Sequence, residues 1–366
     1  MTSHRALKRL VRARMQRTGE SYTTAHRHVT AHRVGNRGPG TGHRESALVR
    51  TMLARAGLDL TEATVCGLGG GIGFLYAVFE YDAVPYPLLT VVTQHHPTPW
   101  VDAVADHLGL ELSAVRSAAT DAAIRKLARS LDEGLAAWIV VARGVLPWHD
   151  DVSPLEQADP YPLVVTGLDG DRFVVLDREE HLLSRDRLAP AWAGHRKGRF
   201  AISTVRPGGA TDLTAARRAA TATTYRHLTG PVLGNSFDVN FGLSGMRRLR
   251  DDLADTTSRR GWRRRFGAEP AYAVGLERLA DCLTWAYGSP GATRPAYAEF
   301  LMEAGLPDAA VLAREAGSRW AAIADAAARA TEVEPGAMFA DLAARVDEVV
   351  AVEERLADDL GRSVAG

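Results

Sequence analysis

From residue 45 onward the apolar positions recur at helical spacing. Leu48, Met52 and Leu53 share one face of a helix predicted over 45–56, which Gly57 stops. Short strands are predicted at 64–66 and 87–92, and helices at 99–108 and 119–133. Three strand-like runs follow at 137–142, 163–166 and 172–176, the last two joined by the turn signal Leu168-Asp169-Gly170-Asp171. A leading helix with a later antiparallel sheet predicts an α+β fold, not regular βαβ alternation. The pattern changes after Pro207-Gly208-Gly209. Residues 212–230, 242–255, 269–287, 293–305, 308–330 and 338–360 all show helical periodicity with alanine-rich faces. Two domains are expected, a mixed one over 42–207 and an all-α one over 210–366. Ahead of them, Leu7, Leu10, Val11 and Met15 mark one helix, and Ser21 caps a second. Residues 1–34 therefore read as a helical hairpin appendage and 35–41 as a linker rich in glycine.

Composition sharpens this picture in two places. A chain of 366 residues with 46% hydrophobic content can bury real cores in more than one domain. The longest strongly apolar run, residues 136–142, is far too short to span a bilayer, and no apolar segment follows the basic start as in a secretory signal. Cys66 and Cys282 make no disulfide framework, so a cytoplasmic protein is expected. The formal net charge of zero hides an asymmetry: residues 1–44 hold ten Arg and Lys against the single acid Glu20, leaving the remainder equally acidic. Such an arm can contact nucleic acid, but no aromatic stacking surface accompanies it, which favours a solvated appendage or a protein-docking arm.

The glycines of Cys66-Gly67-Leu68-Gly69-Gly70-Gly71-Ile72-Gly73-Phe74 invite a dinucleotide reading. Strict Gly-x-Gly-x-x-Gly fails, because the sixth position falls on Ile72 or Phe74. Nor does a strand ending in an acidic residue follow about 20 positions on to hold a ribose. Turns and close backbone packing account for the glycines more simply.

The same glycines, taken with His43-Arg44-Glu45-Ser46 at a helix start, resemble the butirosin biosynthesis protein H family. That resemblance implies a papain-like domain with a His-Cys-Glu motif, a glycine-rich segment some twenty residues on, a histidine opening a strand, and a second strand ending in Asp. Here Arg44 stands at the cysteine position. Gly167, Asp169 and Asp177 match the later pattern, while the histidine position falls on Tyr161 or Pro162. The second half resembles the helical domain that accompanies the family, carried by 240–249, 291–301 and Ser318-Arg319-Trp320.

The resemblance implies acyl transfer from a carrier-protein thioester to an amine acceptor, in the namesake an aminoglycoside. A papain-like site sets a thiolate at a helix N-terminus, with an imidazole to shuttle the proton and an acid to orient it. Arg44 cannot attack a carbonyl, and at a helix N-terminus it needs an anion beside it. Glu45 or Asp177 can be that partner, or Arg44 can bind a substrate carboxylate or the phosphopantetheine phosphate. Cys66, placed at the end of a strand, and Cys282, mid-helix, read as packing residues. Ser46 would need His43 as its base. His95-His96 and His149-Asp150-Asp151 lack the spacing of a metal site.

The expected site is thus His43, Arg44, Glu45 and Asp177 for the chemistry. Gly69, Gly71, Trp148 and Tyr161 are expected on the substrate, with no metal and no cofactor. The function expected is an acyltransferase-like protein of specialised metabolism with impaired covalent catalysis, or else a non-catalytic pseudoenzyme binding an acyl carrier or partner protein. Nucleic acid is a lesser candidate partner, through the basic hairpin, and no membrane association is expected.

Overall fold

The computed structural model describes residues 42–82, 84–149, 160–206, 211–329 and 333–365. The predicted hairpin and linker lie outside these residues. Helix α1 (Arg44–Arg55) opens the described chain, capped by the His43 side chain accepting from the Ser46 amide. It buries Leu48, Val49, Met52 and Leu53 as its periodicity predicts. Residues 64–66 are not a strand: they lie in helix α2 (Glu62–Leu68), which Thr61 caps by accepting from the Thr64 amide. The β-forming Val65 and Cys66 are overridden because tertiary packing encloses the short helix.

Strand β1 (Ile72–Phe79) pairs antiparallel with β2 (Leu88–Gln94) in a two-stranded ribbon. Helix α3 (Trp100–Leu108) follows and ends on Gly109 in the left-handed region. Next come β3 (Leu112–Val115), α4 (Thr120–Asp132), β4 (Ala137–Ala142), β5 (Pro160–Asp169), β6 (Arg172–Leu176) and β7 (Glu180–Ser184). Helix α5 (Arg185–Gly194) and β8 (Ile202–Val205) complete this half. The larger sheet has six strands in the order β3-β8-β4-β5-β6-β7, and every pairing in it is antiparallel. Its core joins Ile139, Leu163, Val165 and Val175 to Ile124 and Leu127 of α4 and to Leu188 and Trp192 of α5.

The second half is helical: α6 (Leu213–Thr229), α7 (Gly242–Ala254), α8 (Trp262–Arg265), α9 (Ala271–Asp281), α10 (Arg294–Glu303), α11 (Pro307–Arg329) and α12 (Pro335–Ala365). A π-helical turn, Cys282–Ala286, prolongs α9. The molecule is therefore mixed α+β, with its sheets in the first half and helices in the second. One large core joins Leu48 and Met52 of α1, Ile72 and Phe74 of β1, and Val91 of β2 to Trp320 of α11 and Leu356 of α12. The β1–β2 ribbon thus belongs to the packing of the helical half as much as to that of α1.

A fully buried ion pair pins this junction. Arg294, at the start of α10, places Nε 2.7 Å from Glu353 Oε1 of α12, both side chains having no exposure. Its Nη1 donates to the carbonyls of Gly73 and Thr93 at 3.1 and 2.9 Å, one on each strand of the ribbon. Trp320 Nε1 donates to the same glutamate oxygen at 2.8 Å. Among the described residues no helix is long and apolar enough to cross a membrane.

Candidate functional site

The N-terminus of α1 lies beside the end of β2, the start of the central strand β5 and the π-helical turn. Between them lies a cleft of about 130 Å³, bordered by His43, Arg44, Glu45, Gln94, Arg143 and Tyr161 from the first half. Arg278, Trp285, Ala286, Tyr287 and Gly288 close it from the helical half. The cleft is therefore composite, and most of its wall is remote in sequence from the His43-Arg44-Glu45 motif.

Arg44 occupies the first helical position, where the dipole disfavours a cation. Asp177, just beyond β6, relieves this: Arg44 Nε lies 2.5 Å from its Oδ1. Arg44 Nη2 also donates to the Pro162 carbonyl of β5 at 2.5 Å, and the guanidinium carbon stands 3.9 Å from the centre of the Tyr161 ring. Of the two expected partners, Asp177 is the one that pairs directly.

Asp177 is the hub. Tyr161 Oη donates to its Oδ1 at 3.0 Å and Trp148 Nε1 to its Oδ2 at 2.9 Å. His149 Nε2 stands 3.3 Å from Oδ2, at ion-pair distance but outside hydrogen-bond alignment. Burial alone would raise this carboxyl. The charge of Arg44, the nearby His149 ring and the donors on Trp148 and Arg44 outweigh burial and hold it well below the usual carboxylate range. Burial pushes the Tyr161 phenol up to about 12, so it remains a donor and cannot serve as a base at neutral pH. Trp148 stacks on His181 with ring centroids 3.8 Å apart, and its indole supports Asp177 instead of lining the cleft.

On the other side of Arg44 a short relay runs through neutral groups. Both the Ser46 amide at 3.2 Å and the Ser46 hydroxyl at 2.9 Å face His43 Nδ1, which therefore accepts and leaves the proton on Nε2. His43 Nε2 donates to Gln94 Oε1, and Gln94 Nε2 donates to Glu45 Oε2 at 3.1 Å. Burial pulls His43 down to about 4, so the ring is neutral at pH 7. Burial also raises the Glu45 carboxyl.

Ser46 meets His43, as nucleophilic use would require, but the serine is fully buried and serves the helix cap. Cys66 is buried too, its thiol pushed up to about 12 by burial. Cys282 lies with no exposure in the π-helical turn.

The expected site residues thus divide into two groups. His43, Arg44, Glu45 and Tyr161 line one cleft, with Asp177 directly behind Arg44. Gly69 and Gly71 are not brought to it. A Cβ on Gly69 would fall inside the Trp100 indole, and one on Gly71, whose φ is +62°, would fall against Tyr297. These glycines serve close packing. His95 is buried against His227, ring centroids 4.0 Å apart, away from the cleft. Among the described residues no cluster of three or more metal-ligating side chains is placed to hold an ion; Asp150 and Asp151 lie outside them. Gln94, Arg143 and His149 are cleft residues that no local motif announced, because each is brought in by strand pairing or by a loop after β4.

Fold and site together define an α+β protein with a cleft at a helix N-terminus, in which an arginine at the first helical position pairs with a buried aspartate. Residues 43–178, more than a third of the chain but less than half, match the family model described as butirosin biosynthesis protein H, N-terminal. The family indicates an acyltransferase-like biosynthetic role. No curated protein matches the chain.

Proposed function

We propose that this chain uses a papain-like domain, with the helical half as its second domain, to bind an acyl-carrier thioester without forming an acyl-enzyme. The observation that carries this reading is the Arg44–Asp177 pair at 2.5 Å. A guanidinium takes the place from which a thiolate would attack, and the acid that would orient an imidazole is committed to it. The phenol of Tyr161 stands where the family resemblance expects a histidine. With Cys66, Cys282 and Ser46 all buried, no side chain of the cleft offers a substitute nucleophile. The protein then acts as a pseudoenzyme of specialised metabolism that holds an acylated carrier.

A second reading is favoured by one contact. His149 Nε2 at 3.3 Å from Asp177 is the only imidazole that the acid reaches among the described residues. A histidine there can take the proton from an amine attacking the thioester directly, so that proximity replaces the covalent step.

One experiment separates the readings. The parent and Arg44→Cys are mixed with an acyl-pantetheine thioester and a simple amine, while intact mass, thiol release and calorimetric binding are followed. The holding role predicts saturable binding by the parent, no mass adduct and no thiol release above buffer. Thiol release without an adduct, lost in His149→Gln, would favour direct transfer. An adduct on the parent, or no binding at all, would overturn the proposal. Arg44→Cys is expected to acquire one acyl group, since a thiol at a helix N-terminus is activated there.

A further inference from the structure

The cleft carries more positive charge than its own acids neutralise. Four guanidinium groups border it, those of Arg44, Arg143, Arg178 and Arg278. Arg44 is committed to Asp177 and Pro162. Arg278 donates to the Tyr287 hydroxyl at 3.0 Å. Among the described residues, the acids beside Arg44 are Glu45, held by Gln94, and Asp177, which already accepts from Arg44, Trp148 and Tyr161.

Arg143 is different. It follows β4 in a 3₁₀ turn and reaches between two aromatic rings, 5.6 Å from the centre of Tyr161 and 5.0 Å from that of Trp285. Its Nε is buried without a hydrogen-bond partner. No carboxylate of the described residues pairs with it or with Arg178 at the rim. A buried donor left unmatched is costly, so the position is held open at the expense of the fold. Low-dielectric aromatic walls strengthen the field that such a charge projects into the cleft.

We propose that Arg143, with Arg178 at the rim, is the anchor for an anionic group, a phosphate or a carboxylate, and that the cleft rejects a polycationic amine. Tyr161 and Trp285 flank the guanidinium, whose planar fork of donors suits two parallel hydrogen bonds to an anion. The amine acceptor or carrier arm that suits this cleft thus bears negative charge, unlike the polycationic aminoglycoside accepted by the family's namesake. This rests on the reading of the cleft as a carrier site for its biological ligand, though the anion site itself does not depend on it.

The full chain is titrated calorimetrically with phosphopantetheine, with pantetheine lacking the phosphate, with inorganic phosphate and succinate, and with an aminoglycoside. Phosphopantetheine is expected to bind at least about tenfold tighter than pantetheine, and Arg143→Gln to erase the difference, consistent with loss of a charge-assisted bond pair. Equal binding of the two pantetheines would overturn the anchor and leave the carrier reading standing. Binding of phosphate or succinate that Arg143→Gln abolishes, with both pantetheines silent, would keep the anchor and remove the carrier. No binding of any anion, or tighter binding of the aminoglycoside, overturns the anchor. The phosphopantetheine and pantetheine comparison on the parent stands even if the variant fails to fold.

Discussion

At the N-terminus of a helix a guanidinium meets the positive end of the dipole, and Arg44 is tolerable there because Asp177 receives it. Its neighbour His43 has the opposite requirement. It caps the same helix through a neutral ring, and burial pulls its pKa from 6.5 to about 4. Between those values the unfolded chain takes up a proton that the folded ring refuses. Stability therefore falls as pH drops through that window, by roughly 1–3 kcal/mol for this ring. His227, pulled down to about 4, and His95, to about 3, act in the same direction. His43→Asn keeps a good cap without the titration. Urea midpoints of this variant are expected to change less than the parent's between pH 6.5 and 4; equal slopes would remove His43 from the acid response. At this scale the His43-Arg44-Glu45 motif and the Asp177 partner were legible, since a charge at a helix start demands an anion. Gln94, Arg143 and His149 were not, because nothing in their local sequence shows which distant surface they will face.

The connection from α2 to β1 decides how the glycine cluster is understood. Gly71 combines a φ of +62° with a Tyr297 ring where its Cβ would lie. Gly71→Ala is expected to cost about 1–3 kcal/mol in chemical denaturation, from backbone strain and overpacking together. Unaltered stability would reopen a ligand role for this loop. The elements that the sequence pattern predicted well are those whose burial is simple. The run at 137–142 is a central strand, apolar throughout and enclosed on both faces except at half-buried Val140. Helix α4 shows one clean apolar face. β1 escaped notice because glycines interrupt its start, and β7 because its alternation is short and polar at a sheet edge. The strand expected at 64–66 failed for a different reason: a capping threonine and enclosing helices outweighed the β preference of Val65. The π-helical turn that sets Trp285 against the cleft follows no periodicity that a helical pattern reveals.

Across the whole molecule, the Arg294–Glu353 pair joins α10 and α12 to both strands of the β1–β2 ribbon. Since the Thr93 carbonyl that Arg294 holds precedes Gln94, the helical half also fixes the relay beside the cleft. Glu353→Gln leaves a buried guanidinium without its counter-charge and is expected to cost about 3–5 kcal/mol, read from denaturation curves. Replacing both partners with methionine is expected to cost less than the single change. A single variant within about 1 kcal/mol of the parent would show that the pair is no clamp. The alanine-rich helices were predicted almost to their ends, yet their joint core with the ribbon was not, because periodicity reports a buried face and not its partner. That shared core constrains how such proteins can diversify. A gene segment encoding 43–178 alone would not travel between proteins as a self-sufficient cassette, since recombination at its end would strip the ribbon of its cover. The two halves are expected to be inherited together, with new ligand preferences arising by point changes where they meet.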